Sequence, residues 1–364
     1  MNRKEEAEAI LRKIYPADEI QMELELLRQS VESEVAQEGA IGDTNIFGKV
    51  KKAWSTRIVR RGLVAGIVCQ VAQQFCGINT VMYYAPSIVQ LAGYASNSTA
   101  LALSLITSGL NAIGSIVSMY FVDRSGRRRL MIFSLCGIIL WLGVLSGVFY
   151  AAAVKSPAVG LTETQHFGNY TCPAYNPAKM KYWKCIDCLK AECSFCANGD
   201  NKLLAGACMA NPQANGPIKH ACQGEHRYWY TQGCPSDFGW IALVALALYI
   251  IFYSPGMGTA PWIVNSEIYP LRFRGICGGM AAVANWVSNL IVTQTFLTLT
   301  KAIGTANTFI LFGIYSIVAL VLIFFIVPET KGLPFEEVEV MLSAEDYKPW
   351  KARPVQTEQK LQNA

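Results

Sequence analysis

Charged residues are scarce in this sequence. Asp, Glu, Lys and Arg make up 16% of its 364 residues, whereas hydrophobic residues make up 52%. A soluble domain of this length normally shows a larger charged share, so the composition argues against one. Histidine is also scarce, at three residues, and no His-Glu helix motif of a zinc hydrolase occurs. We therefore expect a protein that is not an enzyme, binds no metal or other cofactor, and has no nucleic-acid partner.

The apolar residues are grouped into stretches whose interiors hold no charged residue. A transmembrane helix needs about 20 apolar residues, and a helix satisfies its own backbone hydrogen bonds in lipid. We place spans near 61–94, 99–121, 130–153, 238–264, 276–299 and 306–327. The sequence thus predicts an all-α membrane protein with six transmembrane helices. The first stretch is overlong, which predicts a tilted or interrupted helix.

Lys and Arg in short loops predict the orientation of the spans, because such loops favour the cytosol. Basic residues precede the first span, "DRSGRRRL" (123–130) joins the second and third, and "LRFRG" (271–275) precedes the fifth. All three sites fall on one side if the chain crosses at every span. The sequons at Asn97 and Asn169 then face the other side, where we expect glycosylation.

The two ends of the chain are predicted to be cytosolic. Residues 1–56 are polar, with apolar residues at helical spacing on either side of Pro16. We interpret them as a cytosolic helical linker, and the alternative is a solvated, partly disordered tail. Residues 329–364 form a cytosolic C-terminal tail.

A long loop, 154–237, separates the third and fourth spans and is rich in cysteine. An even number of cysteines in an outer, oxidising compartment predicts disulfides. The run at 185–196 also has the spacing of zinc ligands, which is the alternative. The pairing stays open at this point. The eight cysteines are Cys172, Cys185, Cys188, Cys193, Cys196, Cys208, Cys222 and Cys234.

Amide side chains recur inside the spans, where polar groups are costly and need a partner or a wet cavity. Gln70, Gln73 and Gln74 share one helix face, and a Gly-Ile-Asn break at 77–79 follows them. The fourth span is interrupted by "SPGMGTAPW" (254–262), which predicts a broken helix.

Two interpretations of these amides stay open. Amides both donate and accept hydrogen bonds, so a cavity lined by them suits a neutral solute that carries hydroxyl groups. The alternative is that they only join helices to one another. Two interpretations also fit the charged residues at the predicted cytosolic ends, which are either topology signals or salt bridges that close the cytosolic mouth.

The motifs "QQFCGINTVMYY", "DRSGRRRL", "PWIVNSEIYPLRFRG", "NWVSN" and "PETKG", in this order, resemble the sugar porter branch of the major facilitator superfamily. The Cys-rich loop resembles the plexin-semaphorin-integrin-like loop of plant inositol transporters. Members have twelve helices, so the resemblance implies the C-terminal half. It assigns 57–153 to helices 7–9 and 238–328 to helices 10–12.

The resemblance also implies roles for single residues. Ser254 stands where many hexose carriers have a glutamate, which argues against ordinary hexose transport. The implied polyol-binding residues are Gln73, Gln74, Asn79, Asn111, Trp262, Asn285, Trp286 and Asn289. The implied cytosolic gating residues are Asp123, Arg127, Arg128, Glu267 and Arg274.

The resulting hypothesis is the C-terminal half of a proton-coupled myo-inositol symporter, inactive alone. Its expected partners are myo-inositol, the proton, membrane lipid and an N-terminal six-helix half. The expected location is the plasma membrane, and an internal membrane such as the vacuole is the alternative. A non-transporting or regulatory membrane fragment that presents a Cys-rich binding module, and a hexose transporter, are the alternative functions.

Overall fold

The computed structural model describes residues 10–12, 20–22, 24–25, 28, 46–95, 97–176, 182–211 and 216–351. Most of the predicted N-terminal helical linker therefore lies outside the described residues. The part of it that is described ends in helix α1, Ile46–Ser55.

The first apolar stretch is divided into three helices, α2 (Arg57–Phe75), α3 (Ile78–Tyr83) and α4 (Ala85–Leu91). Gly77 separates α2 from α3 with a φ of 89°, a left-handed conformation that glycine adopts without a steric penalty. The Phe312 ring packs against Gly77 so closely that a side chain there would meet it at 3.2 Å. Pro86 lies in the first turn of α4, where proline is tolerated. The predicted interruption is thus present at the glycine and proline.

The second and third spans are continuous helices, α5 (Asn97–Ser125) and α6 (Arg127–Val154). Between them stands Gly126 alone, with a φ of 88°. Because one residue joins the two helices, their ends lie side by side at the Arg-rich loop that the sequence predicts to be cytosolic.

The loop between the third and fourth spans folds into a small unit, here called the Cys-rich module (residues 155–237). Its described residues form helices α7 (Leu161–His166), α8 (Cys185–Lys190) and α9 (Pro217–Gly224), and strands β1 (Ser194–Ala197), β2 (Ala207–Met209) and β3 (Tyr228–Tyr230). The strands form an antiparallel sheet in the order β2-β1-β3, in which Phe195 lies opposite Cys208 and Tyr230.

The fourth apolar stretch is broken into α10 (Gly239–Tyr253), a π-helical turn (Ser254–Gly258) and α11 (Ala260–Glu267). Then follow α12 (Leu271–Ile303), α13 (Thr305–Ile326) and, after the "PETKG" segment, the short α14 (Phe335–Ser343). The "SPGMGTAPW" motif therefore breaks the helix as its glycine and proline content predicts.

Within the described residues, six helical segments are long and apolar enough to cross a membrane: Arg57–Tyr83, Leu105–Ser125, Arg127–Val154, Gly239–Glu267, Leu271–Ile303 and Thr305–Ile326. Helix α6 packs against α10 and α13, and α2 packs against α12 and α13. The π-helical turn contacts both α5 and α6. Helix α12 contacts α2 of the first span and α11 of the fourth, so it lies beside both broken spans.

Candidate functional site

Amide side chains from α2, α3 and α12 form one hydrogen-bonded network inside the bundle. Asn285 Nδ2 donates to Gln70 Oε1 at 2.6 Å and to Gln73 Oε1 at 2.9 Å, and Asn285 Oδ1 accepts from Gln74 Nε2 at 3.2 Å. Asn79 Nδ2 then donates to Gln74 Oε1 at 2.6 Å. Four of the predicted site residues are thus brought together, with Gln70 as a fifth member.

Gln73 connects this network to the break in the fourth span. Its Nε2 donates to the backbone oxygens of Met257 and Gly258, at 2.8 and 2.9 Å. A π-helical turn leaves carbonyl groups without their usual helical donors, so a side-chain amide replaces those donors. The network is therefore anchored to the π-helical break of the fourth span.

Asn111 joins the opposite side of the same break. Ser254 Oγ donates to Asn111 Oδ1 at 2.8 Å and to the Ile250 carbonyl at 2.9 Å. A side chain at Gly114, one turn after Asn111 on α5, would collide with Ser254. Glycine at position 114 therefore allows α5 to approach the break closely.

Three further predicted site residues lie outside the network. Asn289 is buried one turn beyond Asn285, and its Oδ1 has no hydrogen-bond partner within the described part of the chain. Trp262 and Trp286 are 45% and 61% exposed. Their indoles lie at the outer surface of this six-helix bundle, so the structure does not bring them together with the buried amides.

The predicted gating residues meet at the other end of the bundle. Arg127 Nη2 lies 2.9 Å from Glu267 Oε1 and 3.0 Å from Asp123 Oδ1. Glu267 Oε2 also accepts from Thr330 Oγ1 at 2.6 Å. The Arg127–Glu267 pair is largely shielded from solvent, whereas Asp123 is mostly exposed. Helices α5, α6 and α11 and the "PETKG" segment are thus fastened together by one cluster.

Two other predicted gating residues contact backbone carbonyls nearby. Arg128 Nη2 donates to the Phe324 oxygen at 2.7 Å, and Arg274 Nη2 donates to the Tyr269 oxygen at 3.4 Å. Tyr269 also donates to Asn265 Oδ1 at 2.6 Å. Burial raises the pKa of the Tyr269 phenol above its usual range, so it stays neutral and a donor.

Glu329 caps the N-terminus of α6. Its Oε1 accepts from the backbone N–H of Arg127 at 2.8 Å, and its Oε2 accepts from that of Arg129 at 3.4 Å. A carboxylate is favourable there because the N-terminus of a helix carries partial positive charge. A side chain at Gly126 would lie 2.6 Å from Glu329 Oε2. Gly126 therefore meets both a conformational and a steric requirement.

All eight cysteines of the Cys-rich module are paired. The disulfides are Cys172–Cys193, Cys185–Cys234, Cys188–Cys208 and Cys196–Cys222. The zinc alternative required the run from Cys185 to Cys196 to meet at one ion. Instead, each of its four cysteines is bonded to a different partner.

The structure describes the side chain of only one of the two predicted glycosylation sites. Asn97 is the first residue of α5, and its side chain lies outside the described part of the chain. Asn169 lies in a short 3₁₀ turn, Gly168–Tyr170, and is exposed on the Cys-rich module. Its glycosylation stays a prediction.

Four residues that take part in these contacts are not among the predicted site residues. Gln70 lies on the predicted amide face, and its helical spacing is the signal for it. The sequence marks Ser254 only as a departure from hexose carriers. Glu329 and Thr330 belong to "PETKG", whose acidic residue beside a basic helix start is the signal for a cap.

A sequence model of the family described as "Sugar (and other) transporter" matches residues 1–164 and 222–342. Its gap covers most of the Cys-rich module. Among solved structures, the proton:xylose symporter XylE matches with a TM-score of 0.58 and 21% identity, over 94% of this chain and 52% of that one. At this identity the likeness shows the fold.

Curated relatives are similar over nearly the whole chain. Probable inositol transporter 2 of Arabidopsis thaliana is 55% identical over 368 residues, and inositol transporter 4 of the same plant is 56% identical over 350. The proton myo-inositol cotransporter of Homo sapiens is 31% identical over 346 residues. These alignments cover 100%, 94% and 92% of this chain.

The same alignments cover only part of each relative, at 62%, 59% and 52% of their lengths. The chain thus spans less than two thirds of the curated relatives it matches. The family match nevertheless extends over well more than half of the chain, on both sides of the module. The protein therefore belongs to the sugar transporter family of the major facilitator superfamily, a family of integral membrane transporters rather than enzymes.

Proposed function

We propose that this chain forms one half of a proton-coupled symporter for myo-inositol, and that it supplies part of the polyol-binding cavity. One observation carries the proposal: the network of Gln70, Gln73, Gln74, Asn79 and Asn285, which is uncharged and attached to the broken fourth span. Every hydroxyl of a polyol donates and accepts, and side-chain amides match both roles without charge.

The unpaired oxygen of Asn289 supports a solute at this position. A buried acceptor without a donor costs about 1–3 kcal/mol. A hydroxyl group of a bound polyol would donate to Asn289 Oδ1 and remove this cost. Asn79 and Asn111 are only partly buried, so they lie where such a solute could reach the network.

Trp262 and Trp286 complete the proposed binding surface. Both indoles are on the surface of this chain, and an exposed aromatic surface in a membrane bundle needs either lipid or protein against it. We infer that the second half of the transporter covers them, so that they face the cavity between the halves. Transporter sites commonly lie at such interfaces between repeats.

We further infer that the cluster around Arg127 and Glu267 is a gate at the cytosolic end. It joins α6 to α11, the helix that continues from the broken fourth span. Because α6 and α11 belong to the same half, opening of this gate would require α11 to move relative to α6 within that half, which would break the cluster. The proton-coupling carboxylate is assigned to the other half, because the described spans hold no Asp or Glu in their interiors.

The test is uptake of labelled myo-inositol by a complete transporter that contains this chain. We expect Gln73→Ala and Asn289→Ala each to lower uptake at least about tenfold. The first variant leaves the Met257 and Gly258 carbonyls and Asn285 without their partner, and the second removes the acceptor proposed for a polyol hydroxyl; each loss is worth roughly 1.5 kcal/mol. Asn307→Ala is the matched control, because Asn307 is an exposed amide that bonds only locally, to Ile303. Uptake that is unchanged in both site variants would refute the assignment.

The expected membrane is the plasma membrane, with the Cys-rich module outside the cell. Labelling of Asn169 by glycans would support the outer or lumenal position of the module, since glycosylation occurs on that side of the membrane.

A further inference from the structure

A groove of about 1140 Å³ lies between the Cys-rich module and the end of α4. Residues Gln90, Gly93 and Ala95 form one wall. The module forms the rest, through β3, α9 and the loop around residue 201. A groove of this size is larger than one monosaccharide needs. It lies at the opposite end of the bundle from the Arg127 cluster and takes no part in the amide network.

The lining of the groove combines three kinds of group. Tyr228 and Trp229 provide aromatic surface, Asn201 and Gln223 provide amides, and Lys202 and Lys219 provide positive charge. Aromatic faces pack against the C–H faces of sugar rings, and amides match hydroxyl groups as donors and acceptors. This combination is typical of a surface that binds a saccharide.

The charges of the groove favour a ligand with carboxylates. Arg227 also lines it, but Arg227 is committed to ion pairs with Glu163 and Glu225. Within the described residues no carboxylate forms an ion pair with Lys202 or Lys219. Asp200 is the one acidic residue in the lining. Lys202 and Lys219 are therefore the lining cations without an ion pair among the described residues, and a ligand carboxylate would lie against them.

The wall formed by α4 is in direct backbone contact with the module. A side chain at Gly233 would lie 2.2 Å from the Gln90 oxygen, and one at Gly93 would lie 2.8 Å from the Cys234 oxygen. Cys234 is in turn bonded to Cys185 of α8. The module thus packs against the end of α4 through the segment around Gly233, which the Cys185–Cys234 disulfide restrains.

Helix α4 is also a separate element of its span. It is divided from α3 at Tyr84 and from α2 at Gly77, and α3 carries Asn79 of the amide network. A molecule that bridges the module and the α4 wall would restrain α4 relative to the rest of the bundle.

We propose that this groove binds a carboxylate-bearing saccharide chain of a few sugar units, and that its occupant restrains α4. The proposal does not depend on the transported solute, because none of the groove residues belongs to the amide network. The proposed binding is non-covalent.

The experiment measures binding of a galacturonic acid trisaccharide to the full chain in lipid nanodiscs, with the neutral trisaccharide maltotriose in parallel. We expect the acidic probe to bind more tightly, with an affinity that falls as salt rises. Lys202→Ala combined with Lys219→Ala should weaken it roughly fivefold to tenfold, as loss of two partly exposed charge pairs implies. Tyr228→Ala should weaken both probes.

Matched controls are Lys190→Ala and Tyr182→Ala, because both side chains are exposed on the module and outside the groove. Equal binding of the two probes, or absence of binding, overturns the saccharide assignment. A control that weakens binding as much as the groove variants places the ligand elsewhere and also overturns it. Hydrogen exchange of residues 85–91 should slow when the acidic probe is bound, and unchanged exchange would disprove the restraint on α4.

Discussion

Asn285 is the residue on which the amide network depends. Its single side chain pairs with Gln70 Oε1, Gln73 Oε1 and Gln74 Nε2, which all come from α2. Hydrogen bonds between helices in membranes contribute about 0.6 kcal/mol on average. Asn285 makes three such bonds, and their loss leaves glutamine groups unpaired. The expected loss of stability on replacing Asn285 is therefore larger than this average.

Replacement of Asn285 by leucine should destabilise the bundle by about 1–3 kcal/mol, because it strands three buried glutamine groups. Unfolding by SDS in mixed micelles measures this free energy. Asn307→Leu is the control and should be near neutral, since its amide is exposed. Equal stability of Asn285→Leu and the unmodified chain would mean that the network contributes nothing to helix association.

At the residue scale, the sequence singled out most members of the amide network but not their pairing. The spacing of Gln70, Gln73 and Gln74 places them on one helix face. Their partner Asn285 lies more than 200 positions away, and no local pattern specifies such a contact. The partnership of Ser254 with Asn111 was missed for the same reason.

At the scale of elements, the broken helices were predictable and their geometry was not. Gly77 marks the end of α2, and Pro86 marks the start of α4. Glycine and proline at 254–261 mark the break in the fourth span. The π-helical turn determines which backbone carbonyls of the break can accept hydrogen bonds from other helices. That turn forms against Ser118, Ser134 and Gln73, which belong to three other helices.

The Arg127–Glu267 pair is the contact that joins α6 to α11. Both side chains are mostly shielded from solvent, so this pair should be stronger than an exposed one. A double-mutant cycle with Arg127→Ala and Glu267→Gln should give a coupling energy of about 1–2 kcal/mol in the same unfolding assay.

Asp123 provides the comparison for that cycle. It contacts the same guanidinium but is 72% exposed, so the coupling of Arg127 with Asp123→Asn should be much smaller. Equal coupling for the two acids, or none for Glu267, would contradict the account of the cluster as a link between α6 and α11.

At the scale of the whole molecule, the chain holds two kinds of structure with different sources of stability. The bundle is stabilised by packing of long apolar helices. The Cys-rich module has short strands and helices and depends on its disulfides. The even number of cysteines, in a loop predicted to lie in an oxidising compartment, predicted this division. Only the folded structure shows which cysteines pair in each disulfide.

Removal of the Cys196–Cys222 disulfide should therefore affect the module alone. These residues close a loop with a sequence separation of 26, and such a loop contributes about 3 kcal/mol. Limited proteolysis of Cys196→Ser/Cys222→Ser should cleave the module quickly and leave the spans intact. Cys136→Ser, at an exposed free cysteine of α6, should change nothing. Rapid cleavage of the spans as well would show that the bundle needs the module.

Proton-driven uptake of labelled myo-inositol into liposomes would decide whether these amides form one wall of a polyol site shared between two halves. This chain is reconstituted alone, or fused to the part of the Arabidopsis inositol transporter 2 sequence that it leaves unmatched. We expect uptake by the fusion, loss of that uptake with Gln73→Ala, and none by the chain alone. Uptake by the chain alone, or uptake by the fusion that is indifferent to Gln73, would contradict the claim that these amides form one wall of a shared polyol site.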